Sequence, residues 1–291
     1  MIVVVCPSGT VTGGPEALHQ LVDAVNYISP GYGAMCYTPF ESEHPVTPAY
    51  SKYNIPVIKK DEIPEGALIV LPEIYPHFIP LFTQKCCIWW LSVDNHGTHG
   101  VGSLDNTFVH LAQSYYAYAH VEKTYQKSAL MLSDYINDVF TIDKSQDRKQ
   151  QVVVNMAKGG ALIQEFQRLF PHIPVVPVTG MSREEVHGLL KESMVYIDFG
   201  HHPGKDRMPR EAALSGAVVF STSVGAANND VDLPIDRWYK FNSVSELSGK
   251  VEMVFSGYEA HLVSQYTYLE QIVLQKETFF EEARRLVELN S

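Results

Sequence analysis

The 291-residue sequence predicts an α/β protein of two domains with a long helix at its C-terminus. Three observations carry this expectation. Short apolar runs rich in Val and Ile alternate with helix-periodic stretches in both halves, the pattern of parallel strands buried on both faces. The alternation stops near Ile142, where residues 143–151 are nine polar side chains in a row, and it restarts at Val152. From 258 to 289, residues such as Leu262, Leu269, Ile272, Phe279, Phe280 and Leu286 recur at helical spacing. The expected boundaries are an N-terminal domain over 1–142, a second domain over 149–256, and a helical segment over 257–291 packing back on the first.

Taken in order, residues 2–5 read as a buried strand and 8–14 as a Gly/Ser/Thr loop. Pro15 then leads a helix whose apolar face is Leu18, Leu21, Val22 and Val25. Further strands are expected at 34–37, 67–71, 86–91 and 107–112. In the second half the order is strand 152–155, helix 161–170, strand 175–178, helix 182–191, strand 194–199, helix 209–215 and strand 217–222. Ser182-Arg-Glu-Glu185 spells a capping box, and Gly216 falls where a helix ends in a left-handed residue.

Composition narrows the function classes. A hydrophobic fraction of 45% with 19% charged residues belongs to a folded globular chain. With 22 Lys and Arg against 33 Asp and Glu, the net charge of −11 argues against a nucleic-acid partner, so any anionic ligand must be small and locally held. Cys6, Cys36, Cys86 and Cys87 lie in strand-like apolar runs without zinc-site spacing and are expected to be reduced core residues. The N-terminal apolar run is short and lacks a basic leader, and no stretch has the ~20 apolar residues of a membrane span. The expectation is a cytoplasmic protein, with peripheral contact at the inner face of the membrane left open.

Two segments have the chemistry of an anion site. Residues 198–216, Asp-Phe-Gly-His-His-Pro-Gly-Lys-Asp-Arg-Met-Pro-Arg-Glu-Ala-Ala-Leu-Ser-Gly, leave a strand end, cross a loop and enter a helix near Pro209. Unpaired N–H groups at such a helix start, with His202, Gly204, Lys205, Arg207 and Arg210, suit a phosphate. Glu211 is expected in the first turn of that helix. The second segment is Lys158-Gly159-Gly160, also between a strand and a helix, where glycine permits close backbone approach and the lysine meets the charge. Both strand ends are expected to face one crevice.

These residues resemble the donor domain of family-four-type, retaining GT-B glycosyltransferases: a strand, Lys158-Gly159, a helix, then Tyr196-Ile-Asp-Phe-Gly200 and Glu211-Ala-Ala-Leu-Ser-Gly216-Ala-Val-Val219. Thr12-Gly13-Gly14-Pro15-Glu16 is similar to the glycine loop of their acceptor domain. The resemblance implies two Rossmann-like domains of the GT-B type and a metal-independent transfer of sugar from a nucleotide-sugar donor to a glycan or lipid-linked acceptor, in surface polysaccharide assembly. It implies no cofactor. It assigns Gly13, Gly14, Lys158 and Gly159 to ligand binding, Lys158 to the donor diphosphate, and Glu211 to the nucleotide ribose. The family's first glutamate, eight positions before Glu211, is replaced by Pro203, and Asp206 or the His201-His202 pair is the candidate substitute.

On the acceptor side, Glu73 and Asp94 are the candidate general bases, needed if the reaction inverts and dispensable if it retains. His96 and His99 read as loop histidines or as a metal pair without completing ligands. Of the adjacent Trp89 and Trp90, which point to opposite faces of a strand, one is expected in the core while the other stacks on a sugar or under a helix. The alternatives are a non-catalytic carbohydrate- or nucleotide-binding or scaffold protein, and a nucleotide-sugar epimerase.

Overall fold

The computed structural model describes residues 1–40, 44–100, 102–105, 107–141 and 147–290. The chain divides into two compact units, Met1–Tyr135 with Gln275–Ser291, and Ile136–Leu274. Of the expected linker over 143–151, residues 143–146 lie outside the described residues, and 149–151 belong to the first strand of the second unit.

The first unit is built on β1 (Ile2–Pro7), α1 (Gly13–Ile28), β2 (Gly33–Thr38), β3 (Leu68–Pro72), β4 (Lys85–Trp90), β5 (Thr107–Ala112), α2 (Tyr115–Tyr125) and β6 (Ala129–Met131). Its strands form one parallel sheet in the order β2-β1-β3-β4-β5-β6. Strand alternation sorts the side chains between two cores. Ile2, Val4, Cys87 and Trp89 pack under α1 with Phe279, Ala283 and Leu286, whereas Val3, Val5, Ile88 and Trp90 pack with Ala117 and Val121 of α2. Both tryptophans are fully buried, so neither stacks on a ligand. Their N–H groups are satisfied inside: Trp89 Nε1 donates to the Leu132 carbonyl at 2.8 Å and Trp90 Nε1 to His110 Nδ1 at 3.0 Å. The four cysteines are free and buried.

The second unit holds β7 (Lys149–Asn155), α3 (Gly160–Leu169), β8 (Val175–Val178), α4 (Arg183–Lys191), β9 (Ser193–Asp198), α5 (Arg207–Leu214), β10 (Val218–Thr222), the two-residue β11 (Lys240–Phe241), α6 (Lys250–Ser256), α7 (Tyr258–Ser264) and the start of α8 (Tyr266–Leu289). The parallel sheet runs β11-β10-β9-β7-β8. After β7 the chain adds β8 on one side and then β9 on the other, so the strand order reverses at β7 and the loops leaving β7 and β9 lie side by side. Such a reversal is where open α/β sheets bind ligands. One core fills this unit, with Ile163 and Phe166 of α3, Leu190 of α4 and Ala212 of α5 against Val153, Tyr196 and Phe220 of the strands.

Several local expectations are realised. Ser182 and Glu185 form the reciprocal capping box. Gly216 follows α5 with a φ of +83°. Two expectations are corrected. The helix expected at Pro209 begins at Arg207, which places Pro209 in the first turn, where its missing N–H costs nothing. The continuous helix expected over 258–289 is broken at Gln265, and α8 is divided between the two units, with only the part from Gln275 counted in the first.

Candidate functional site

The loops after β7 and β9 are packed against each other, and glycine is what allows it. Gly159 has a φ of +71°, and a Cβ there would run into the Phe199 carbonyl. A Cβ on Gly200 would lie 2.9 Å from both Asp198 Oδ1 and the Lys158 Cβ. The close approach expected of Gly159 is therefore made first to its own protein. Gly225, after β10, closes the third side: its φ is +65°, it bridges to His202, and the His202 carbonyl accepts the Ala226 N–H at 2.8 Å.

This packing assembles a chain of polar side chains. Lys158 Nζ lies 2.6 Å from Asp206 Oδ2. The buried His202 ring spans two carboxylates, with Nδ1 3.3 Å from Asp206 Oδ2 and Nε2 3.5 Å from Asp198 Oδ1, and Nε2 is also 3.0 Å from the Ser221 hydroxyl. Asp198 accepts the Gly200 N–H at 2.8 Å on Oδ1 and the Tyr196 O–H at 2.9 Å on Oδ2. Burial, with the Asp198 carboxylate beside it, keeps the Tyr196 hydroxyl protonated far above its usual range. Thr222 Oγ1 donates to the Gly200 carbonyl, tying β10 to the same loop. Tyr196 and Asp198 lie in the motifs read from the sequence but receive no role there, and Ser221 and Thr222 are not singled out. Their signal is a polar side chain at the C-terminal end of an otherwise apolar strand.

Of the expected anion ligands, Lys158 and His202 are brought together through Asp206, the candidate substitute for the missing glutamate. Gly204, Lys205, His202 and Asp206 share the wall of a cavity of about 10 Å³, room for one water. Lys158 and Asp206 keep partial solvent access, with side chains 35% and 18% exposed. Arg210 departs from expectation. It is fully buried, and its guanidinium donates to the Lys205 and Asp206 carbonyls at 2.8 and 3.1 Å, which clamps the loop that precedes its own helix. Because α5 starts at Arg207, Glu211 stands beyond the first turn, and Arg207 Nε lies 3.6 Å from Glu211 Oε1 one turn away.

Asp198, His202 and Asp206 offer ligand atoms within 4.8 Å of one another, a spacing that could hold a metal ion. Several of their lone pairs already have partners. Asp198 serves the Gly200 N–H and Tyr196, His202 Nε2 meets Ser221, and the Lys158 ammonium already sits on Asp206. A divalent cation bound there would displace that ammonium and share the carboxylates with the N–H and O–H donors.

In the first unit, α1 begins at Gly13 with Thr12 as its N-cap, and the Thr12 side chain makes no capping bond. A Cβ on Gly14 would meet only Leu91 Cδ1, at 3.9 Å, so packing does not require glycine there. Glu73, just past β3, is buried at 3% exposure and accepts the Leu91 N–H at 2.9 Å. Burial pushes its carboxyl up to about 7, against the opposing pull of the backbone N–H groups. Asp94 lies exposed in the turn Val93–Asn95 after β4.

No protein-family profile and no curated protein matches the sequence. Solved structures do. A sucrose-phosphate synthase from Thermosynechococcus elongatus superposes with a TM-score of 0.66 at 10% identity, covering 99% of this chain and 97% of that one. WaaG, described as a glycosyltransferase involved in lipopolysaccharide biosynthesis, gives 0.62 at 12% identity over 97% and 99%. The catalytic domain of starch synthase IV from Arabidopsis thaliana, bound to ADP and acarbose, gives 0.58 at 10% identity over 96% and 99%. Two parallel sheets of six and five strands, with a C-terminal helix shared between the units and these likenesses over nearly the whole chain, establish that the protein has the GT-B fold.

Proposed function

We propose that this protein is a glycosyltransferase that moves a sugar from a nucleotide-sugar donor to a glycan or lipid-linked acceptor in surface polysaccharide assembly, without a metal or other cofactor. The observation that carries the reading is the meeting of Lys158 with the His202–Glu211 segment at the point where the second sheet reverses its strand order, within a GT-B fold. The donor diphosphate takes the Lys158 ammonium, Lys205, and the N–H groups at the start of α3 and α5. These groups stand ready to neutralise the charge that develops as the diphosphate leaves. When the diphosphate claims Lys158, the Asp206 carboxylate is released to accept hydrogen bonds from hydroxyls of the donor sugar, the task for which the sequence lacks a glutamate at Pro203. Glu211 receives the ribose hydroxyls. Arg210 acts through the loop it clamps.

On the acceptor side the open start of α1 at Gly13 and Gly14 offers backbone N–H groups to a ligand. If the reaction inverts the anomeric centre, Glu73, with its carboxyl near 7, is the better-poised base, and the exposed Asp94 is second. The testing experiment is a thermal-shift and turnover screen of UDP-, GDP-, dTDP-, CMP- and ADP-sugars against the wild type and Lys158→Ala. A stabilising sugar nucleotide whose effect is lost in the variant supports the reading, and indifference to all five overturns it. A second reading, a non-catalytic sugar-nucleotide binder, is favoured by Pro203; it predicts stabilisation without turnover of any acceptor.

A further inference from the structure

The small cavity walled by His202, Lys205 and Asp206 is completed from two other segments. Asp232 comes from the loop between β10 and β11, and Tyr268 from the first turn of α8. The helix break at Gln265 places Tyr268 there. The Gln265 side chain pins the start of α8 to the Val219 N–H and carbonyl of β10, both at 2.9 Å. Tyr268 follows three residues later, with Ile272 one turn on, and both pack in the core of the second unit.

Two polar groups on this wall are complementary. Tyr268 is buried at 1% exposure, and its hydroxyl makes no hydrogen bond within the described residues. Burial raises its pKa, with the Asp198 and Asp206 carboxylates adding to the rise and the Arg210 guanidinium opposing it, so the group remains an O–H donor. Asp206 has the opposite need. Lys158 Nζ and His202 Nδ1 both meet its Oδ2. Although Asp206 is the N-cap of α5, its side chain caps no N–H, which leaves Oδ1 without a donor among the described residues.

A buried hydroxyl without an acceptor is costly to the fold, and a water that reaches two or more polar groups removes that cost. The cavity, of about 10 Å³, has room for one. Asp232, itself buried, adds a second carboxylate to the same wall.

We propose that a water in this cavity joins the Tyr268 hydroxyl to Asp206 Oδ1, and that Tyr268 thereby acts as a positioning residue for Asp206. The hydroxyl donates to the water, and the water donates to the Asp206 and Asp232 carboxylates. The consequence for catalysis rests on the glycosyltransferase reading: when the diphosphate draws Lys158 away, the water and His202 keep Asp206 in place for the sugar hydroxyls. The water link itself does not rest on it.

Crystals of the whole chain, wild type and Tyr268→Phe, test the link. In the wild type a water should lie within about 3.2 Å of both Tyr268 Oη and Asp206 Oδ1. In the variant that water should be gone or displaced and the Asp206 side chain turned. A wild-type cavity without water, a direct bond from Tyr268 Oη to a protein group, or an Asp206 unmoved in the variant overturns the proposal. Calorimetry on the same two proteins compares UDP-glucose with UDP, GDP-mannose with GDP, and ADP-glucose with ADP. The variant should bind the sugar nucleotide roughly fivefold more weakly, while its affinity for the matching diphosphate stays within about twofold. A merely structural change would weaken both, so equal losses, or none, overturn the positioning role. A wild type that binds none of these probes counts against the transferase reading, and the crystals alone then decide the link and its hold on Asp206.

Discussion

At the scale of single residues, the side chain proposed to bind the donor diphosphate is already paired. Lys158 sits on Asp206 with both side chains partly exposed, an ion pair of small worth to the fold, so Lys158→Ala should barely move the melting temperature. A charge-assisted contact to a diphosphate contributes about 1.5–3 kcal/mol, so donor affinity by calorimetry should fall roughly 10- to 100-fold. Unchanged affinity would remove the diphosphate role. Glu211 separates differently. Its pair with Arg207 lies on one helix face with both side chains 12% exposed, so the surface-pair worth of about 0.2–0.5 kcal/mol is a lower bound. If Glu211 also receives the ribose, Glu211→Gln keeps one acceptor oxygen and Glu211→Ala keeps none. Turnover should fall in that order, at temperatures where both variants remain folded. An Ala variant that melts much lower yet turns over normally would make Glu211 a residue of the fold alone.

Between elements, β4, β5 and α2 enclose Trp90 with His96, His110, His120 and Tyr125 around it, ring centroids 5.0 to 6.0 Å away. His110 Nδ1 accepts the Trp90 N–H, so the neutral ring carries its proton on Nε2. Burial lowers the pKa of all three histidines, that of His110 to about 4 with Lys127 adding to the effect. Unfolded histidine titrates near ~6.5, so the unfolded chain binds more protons below that pH. The stability these rings contribute is complete above about pH 6.5 and is lost as pH falls toward about 4. Denaturant melts at pH 7.5, 6 and 5 should show this loss, with a shallower slope in His110→Gln, whose amide oxygen can still accept from Trp90. A flat profile between pH 7.5 and 5 would contradict it. At the α7–α8 break, the buried Gln265 side chain accepts the Val219 N–H and donates to the Val219 carbonyl, both at 2.9 Å. Gln265→Ala orphans both groups at about 1–3 kcal/mol each, which a clear drop in melting temperature would register.

For the whole molecule, the expected independence from metals becomes an experiment on the Asp198, His202 and Asp206 network. Because these groups already pair with one another and with Lys158, EDTA should leave donor binding and turnover unchanged. Loss of either, restored by manganese or magnesium, would mean that a cation displaces Lys158 from Asp206. No helix among the described residues is long and apolar enough to cross a membrane.

The fold was legible because buried parallel strands are unbroken apolar runs and their connections are turn and cap residues; Val152, Ser182 and Gly216 each announce their element in one or two side chains. The candidate anion segments were legible for a related reason, since Lys158-Gly159 and the His202–Glu211 run join strand ends to helix starts, where backbone groups are left unpaired. What needed the tertiary structure was which neighbour each polar group meets. Arg210 looks like a phosphate ligand in sequence and is a buried loop clamp in the fold. Trp89 and Trp90 leave open whether one of them stacks on a sugar or packs under a helix, and both pack under helices, because the sheet is covered on both faces. The break at Gln265 has no glycine or proline to mark it, and it coincides with two hydrogen bonds to a strand 46 residues away. The local pattern determined the elements, because backbone dihedrals and burial period are local properties. The partners of charged and amide side chains were decided only by packing, because they depend on residues that the chain brings together from far apart.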